Sequence, residues 1–277
     1  MSRLSLNSKT TNSWSLPELV EGCRAAGIDN VGLWRELYDG ADVDAAGRMV
    51  ADAGLTVTTL CRGGFFPTDD EDERKVRARD NLAAVDECVA LGTSVLVLVC
   101  GGLSGRDLVG SRQQVADGVG ALARHAADRG VRLAVEPLHP MYCADRSVVS
   151  TLEHALKIAG DHSPDVVGVC VDTFHLWWDD RAVATVPSIG PSIAAYQVCD
   201  WLDPLPDVLL GRGMMGDGVI EFDVWTRAVD QAGYRGPVEV EIFNQQVWDT
   251  PGDEVVALAR ERFEQLIAPH LTTSTAP

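Results

Sequence analysis

The chain has 277 residues, 46% hydrophobic and 23% charged, a balance that fits a soluble globular fold of about the size of one large domain. Its formal charge of −18 argues against a nucleic-acid partner or an anionic membrane surface, both of which call for a basic face. The seven cysteines form no CxxC pair and lie mostly inside apolar runs, so they read as reduced core thiols; with no apolar leader at the start, the expected compartment is the cytoplasm.

Leu4 and Leu6 alternate with polar residues in a short first strand ending near Asn7. Ser15–Glu18 is a capping box with proline in the first turn, and its helix runs to Gly27. A second strand covers Asn30–Arg35, a second helix Asp42–Gly54 and a third strand Leu55–Gly64. In the third helix, Ala78, Leu82, Val85 and Val89 recur at helical spacing and predict the buried stripe, with Gly92 ending it. Ser94–Cys100 is continuously apolar, as in a strand covered on both faces. Ser111–Gln114 reads as another capping box, opening a helix with Val115, Val119, Leu122 and Ala126 on one face. Val131–Pro137 is the fifth strand, Ser147–Gly160 the fifth helix and Val166–Asp172 the sixth strand. A short helix over Ala182–Ile189, interrupted by Pro187, precedes the seventh strand, Ile193–Asp200. After a glycine- and proline-rich loop over Trp201–Val219 come a helix over Phe222–Gly233 and an eighth strand over Pro237–Phe243. The last helix is expected to be capped by Thr250, with Val256, Ala259, Phe263 and Leu266 inward.

Eight strand–helix units in strict alternation require parallel strands joined by crossover helices. The length suits the roughly 250 residues of a closed (β/α)8 TIM barrel. An open doubly wound sheet usually carries a glycine-rich phosphate turn after its first strand, and LSLNSKTTNS is not one. The reading is an α/β protein with one barrel domain over residues 1–277, its tail at 271–277 disordered.

Barrel enzymes place their chemistry at the C-terminal ends of the strands. Four strand ends carry polar residues there: Glu136, Asp172, Gln197 and Glu241, on strands five to eight. Carboxylates gathered at one quadrant of the mouth repel one another unless a cation lies among them, and an all-oxygen set favours Mn²⁺ or Mg²⁺ over zinc. His175 shares the sixth strand end with Asp172; His139 lies three residues past Glu136. Trp34, Arg62, Trp177 and Arg212 fall at strand ends or in mouth loops and are candidates to touch substrate, with Trp201, Asp200 and Asn244 nearby. Glu239 points inward one layer deeper, where a buried carboxylate is expected to need a Lys or Arg partner.

The motifs AVEPLHP, VDTFH, YQVCDW and GYRGPVEVEIF resemble the xylose isomerase-like TIM barrels of the sugar isomerase/epimerase superfamily, which includes the apurinic endonuclease family 2 proteins. The likeness is strongest from Leu133 to Phe243. It implies an ion bound by Glu136, Asp172, Glu241 and the position of Gln197, where the family has histidine; the amide oxygen of glutamine can serve a hard ion. It also implies that His175 and Arg212 reach substrate oxygens.

The expected function is a divalent-metal-dependent isomerase or epimerase acting on a free ketose or keto-polyol through an enediolate, with Glu136 and Glu241 as acid–base catalysts. A lyase starting from the same enediolate is the alternative, of the dehydratase or C-glycoside-cleaving type. A non-catalytic sugar-binding subunit is the remote third. The expected partner is a small sugar or polyol, with no nucleic acid and no membrane, in a possible homo-oligomer, dimer or tetramer.

Overall fold

Continuous apolar strands need cover on both faces, and a sheet that closes on itself supplies the inner one. The computed structural model describes residues 2–38 and 42–272. Its strands are β1 (Leu4–Asn7), β2 (Asn30–Trp34), β3 (Thr56–Gly64), β4 (Val95–Val99), β5 (Arg132–Glu136), β6 (Val167–Asp172), β7 (Ile193–Val198) and β8 (Val238–Val240). They pair in parallel and in chain order, and β8 returns to β1 through Leu4↔Val238 and Leu6↔Val240, closing the barrel.

The outer cover is α1 (Leu16–Ala26), α2 (Val43–Asp52), α3 (Glu71–Leu91), α4 (Leu108–Asp128), α5 (Leu152–Ala159), α6 (Ala182–Thr185), α7 (Phe222–Gln231) and α8 (Gly252–Leu266). Among the described residues no helix is long and apolar enough to cross a membrane. The Ser15–Glu18 box forms, with Glu18 accepting from the Ser15 N–H and hydroxyl at 2.7 Å each. Gly27 ends α1 at φ 67°, a conformation that costs glycine little.

Several boundaries differ from the sequence reading. Ser111 is not a cap: Asp107 caps α4 one turn earlier, and the Ser111 hydroxyl bonds back to the Asp107 carbonyl at 2.7 Å. Helix α5 starts at Leu152 under a Thr151 cap, because Gly101 pairs with Ser147 and holds that segment extended. Pro251, not Thr250, stands at the start of α8, since the Thr250 hydroxyl bonds to Gln246 instead. Strand β7 stops at Val198, and Asp200–Trp201 leaves the barrel to pair antiparallel with Arg212–Gly213. Of the tail, 273–277 lies outside the described residues, while the Thr272 N–H donates to Asp230 at 2.9 Å.

The largest departure is in α3. Its inner face is Asn81, Ala84, Val85, Cys88 and Leu91, whereas Leu82 and Val89 are 39% and 46% exposed. A polar clasp accounts for the rotation. Asn81 Oδ1 accepts from the Gly64 N–H at 2.5 Å, and Nδ2 donates to the Gly64 carbonyl at 2.9 Å. Gly64 closes β3 at φ 111°, where a Cβ would fall 2.0 Å from the Val99 carbonyl oxygen.

Small side chains fill the barrel's upper interior. Cys61, Val97, Ala134, Cys170 and Ala195 form one buried cluster with Trp34 and Phe243. The space they leave is taken by buried Asn7, Thr59, Gln197 and Glu239. All seven cysteines are free thiols.

Asn81→Ala strips the Gly64 N–H and carbonyl of their partners. It is expected to lower the unfolding free energy by about 2–6 kcal/mol, from about 1–3 kcal/mol for each of the two unsatisfied groups. Urea denaturation checks this, and an unchanged midpoint at unchanged slope would show that the clasp contributes nothing.

Candidate active site

Strands β5 and β6 end on Glu136 and Asp172, and Glu241 follows β8. All three carboxylates are buried, at 4%, 1% and 2% exposure. Asp172 accepts from the Phe174 N–H at 2.7 Å, so it also starts the turn that carries His175. Glu241 accepts from Trp34 Nε1 at 2.8 Å and from Arg212 Nη1 at 2.9 Å. The same Arg212 nitrogen lies 3.4 Å from Asp172 Oδ2. Its guanidinium is stacked between Phe174 and Phe243, at 4.9 and 4.8 Å from the ring centres. Asn244 holds the Arg212 backbone from below, donating to its carbonyl at 2.8 Å.

Glu136 accepts no hydrogen bond from any described residue; His175 Nε2 approaches to 4.0 Å. Burial, then the charges of Asp172 and Glu241, push its carboxyl well above the usual range, against the pull of Arg212. Burial pushes Asp172 up to about 7, with Arg212 opposing and Glu241 adding. Three acidic side chains thus face one guanidinium, an imbalance of two charges that a divalent cation would cancel. The unpartnered oxygens of Glu136 fit such an ion.

Glu136, Asp172 and His175 bring potential ligand atoms within 4.8 Å of one another. The hydrogen bonds of His175 argue against its being the ligand. A metal-bound imidazole usually points its other N–H at an acceptor. Here His175 Nδ1 instead receives the His139 backbone N–H at 3.3 Å. Nε2 faces Arg212 Nη2, which can only donate, at 3.1 Å, with Asp172 Oδ2 and Glu136 Oε1 farther off at 3.8 and 4.0 Å. Both ring nitrogens thus face N–H donors, and among the described residues neither is turned to an acceptor within hydrogen-bond distance. Burial and Arg212 hold the ring's proton affinity well below normal, so it is neutral.

The other expected residues divide. Gln197 is engaged below the cluster, its Nε2 donating to Glu239 at 2.9 Å and its Oε1 accepting from Cys170 Sγ at 3.2 Å. His139 stacks on Trp201 at 4.8 Å, and its Nδ1 accepts the Met141 N–H, which leaves Nε2–H free. Trp177 packs on Trp201 at 5.1 Å with its indole N–H buried and unpartnered among the described residues. Arg62 is not brought to the carboxylates; it lies over the Phe65 ring at 4.0 Å. Asp200 is structural, gathering the N–H groups of Trp201, Gly216, Gly218 and Ile220 at 2.9–3.0 Å to tie down the loop that carries Arg212. The cationic partner expected for Glu239 is absent among the described residues, and four neutral donors take its place. Phe174 and Phe243 escaped the sequence reading; the signal available was their position beside Asp172 and Glu241.

A closed parallel barrel whose C-terminal strand ends gather buried acids around an arginine defines a class of (β/α)8 enzyme-like sites. Residues 20–266 match the profile of the xylose isomerase-like TIM barrel, and the chain belongs to that family. It is 31% identical over 246 residues to 3-dehydroshikimate dehydratase of Pseudomonas putida, covering 84% of this chain and 36% of the relative. It therefore spans little more than a third of that protein's length. It is 27% identical over 243 residues to ketose 3-epimerase of Arthrobacter globiformis, covering 82% of this chain and 78% of the relative. Among solved structures, a Sinorhizobium meliloti protein superposes with a TM-score of 0.92 at 43% identity, over 95% of this chain and 98% of the other. The zinc-bound IolI protein shares the fold, with a TM-score of 0.86 at 21% identity over 99% and 100% of the two chains.

A carboxyl that binds its proton more tightly when folded stabilises the fold at low pH and loses that contribution as pH rises through its folded value. For Asp172 the window runs from 3.8 to about 7. In metal-free buffer, Asp172→Asn should therefore gain melting temperature relative to the parent between pH 5 and pH 8. A difference that stays flat over this range would contradict the raised proton affinity.

Proposed function

We propose that the chain removes and returns a proton beside the ketone of a small free sugar or polyol, as an isomerase or epimerase passing through an enediolate. The observation that carries this reading is the contrast between two buried glutamates. Among the described residues Glu136 has no donor, while Glu241 is held by Trp34 and Arg212. A carboxyl whose proton affinity is raised is a stronger proton acceptor, and once protonated it can return the proton. One of the two glutamates abstracts the α-proton and the other, carrying a proton, returns one to the intermediate. Arg212 donates to the oxygens where negative charge develops, with the neutral His175 ring beside it, in a site buried from water. Trp34, Trp177 and His139 offer ring faces and N–H donors to the body of the substrate. Glu136, Asp172 and Glu241 would hold a divalent ion, Mn²⁺ or Mg²⁺ by the hardness of their oxygens, and the bound ion supplies Lewis-acid stabilisation of the ketone.

A dehydratase is the second reading, favoured by the higher identity to 3-dehydroshikimate dehydratase than to the epimerase. It shares the proton abstraction and differs in the second step: a β-hydroxyl leaves, and the free Nε2–H of His139 is a suitable donor to it.

Both readings predict that keto-polyols incubated in D₂O with Mn²⁺ exchange the hydrogen next to the ketone, seen by NMR. Epimerase activity yields a deuterated epimer with no loss of water, while dehydratase activity yields a growing enone absorbance. Glu136→Gln should slow exchange by at least about 100-fold, the lower end for a general acid–base group. Exchange at the parental rate in that variant would remove Glu136 from the mechanism.

A further inference from the structure

Beneath the three acids lies a fourth buried carboxylate that the mechanism does not use. Glu239 is 2% exposed. Its Oε1 accepts from Asn7 Nδ2 at 2.7 Å and from Gln197 Nε2 at 2.9 Å. Its Oε2 accepts from the hydroxyls of Thr59 at 2.7 Å and Thr58 at 3.0 Å. Strands β1, β3 and β7 each aim donors at it, and β2 makes room: a Cβ on Gly32 would lie 2.4 Å from the Glu239 carboxyl carbon. So many strands converging on one buried acid, with no cation among its described partners, marks a built feature, since such a group is costly unless fully hydrogen-bonded.

The consequence falls on Gln197. Its Cα is in register with Asp172 on one side and Glu239 on the other. The two ends of a carboxamide have nearly the same shape, so the hydrogen-bond partners alone choose which way it faces. A carboxylate accepts and cannot donate, which forces the amide nitrogen toward Glu239. The oxygen is thereby turned to Cys170 Sγ at 3.2 Å, on the strand β6 that ends two residues later at Asp172.

We propose that Glu239 is a positioning residue: it locks the Gln197 amide so that β7 turns a carbonyl oxygen, and no N–H, toward the acid cluster, strengthening its hold on a divalent cation. The inference rests on the proposed metal-dependent reading. In Glu239→Gln the carboxamide at 239 can donate as well as accept, so the Gln197 amide loses its fixed sense and can turn its NH₂ group toward the cluster.

The test is calorimetric titration of Mn²⁺ into protein stripped with EDTA, with thermal melts run alongside. The parent should bind one ion. E239Q should bind it about tenfold or more weakly, the scale of an outer hydrogen-bonding partner of a metal site. Q197M, which keeps the length and removes the amide, should lose a similar amount. If Glu239 acts through Gln197, adding E239Q to Q197M should cost no further affinity. Parental affinity in Q197M overturns the inference whether or not E239Q folds. So does an E239Q loss of equal size in the Q197M background. A parent that binds no divalent ion overturns the metal-dependent reading itself, and this inference with it. The two failures are thus distinguishable.

Discussion

The charge deficit at the barrel mouth is the constraint on which the rest of the site depends. Glu136, Asp172 and Glu241 are removed from water together, and among the described residues the Arg212 guanidinium is the one cation set among them. Acids gathered in this way are tolerable only if they keep protons, recruit a cation or accept strong hydrogen bonds. Glu241 takes the last course through Trp34 and Arg212. Asp172 takes it in part through the Phe174 N–H. Glu136 is left with the first two. That unresolved demand separates the cluster from the surface ion pairs elsewhere on the chain, such as Arg24–Glu21, which are solvated and contribute little.

The barrel makes this arrangement possible by thinning its own core. Where bulky branched residues usually fill the interior, β3, β5, β6 and β7 supply Cys61, Ala134, Cys170 and Ala195. The volume released accommodates the layer of Asn7, Thr59, Gln197 and Glu239, whose bonds close on one another. Apolar packing is exchanged for oriented dipoles directly under the acids. The large apolar cluster outside this region, between strands and helices, carries the burial that stabilises the fold.

The barrel was legible in the sequence because each unit signals itself locally, through apolar strands, glycine stops and helix caps. The acids were legible because a carboxylate at the end of an apolar run has no structural excuse. Helix α3 misled because periodicity counts apolar residues and takes no account of what an asparagine can bind. The Asn81 clasp on Gly64 outweighed the exposed Leu82 and Val89. Gln197 was legible as an inward residue and illegible in direction, since its partner Glu239 is 42 positions away and the sense of an amide is set by neighbours. Arg212 was visible only as a loop arginine. Its stacking between Phe174 and Phe243 requires three segments to meet.

The negative groups ride on barrel strands, whereas their counter-charge arrives on a loop anchored by the single carboxylate of Asp200. A change of sequence over 201–219 can reset how much positive charge, and what shape of lid, meets an unaltered acid frame. The acid frame and its counter-charge are thus built by different parts of the chain, and residues 201–219 take no part in barrel closure.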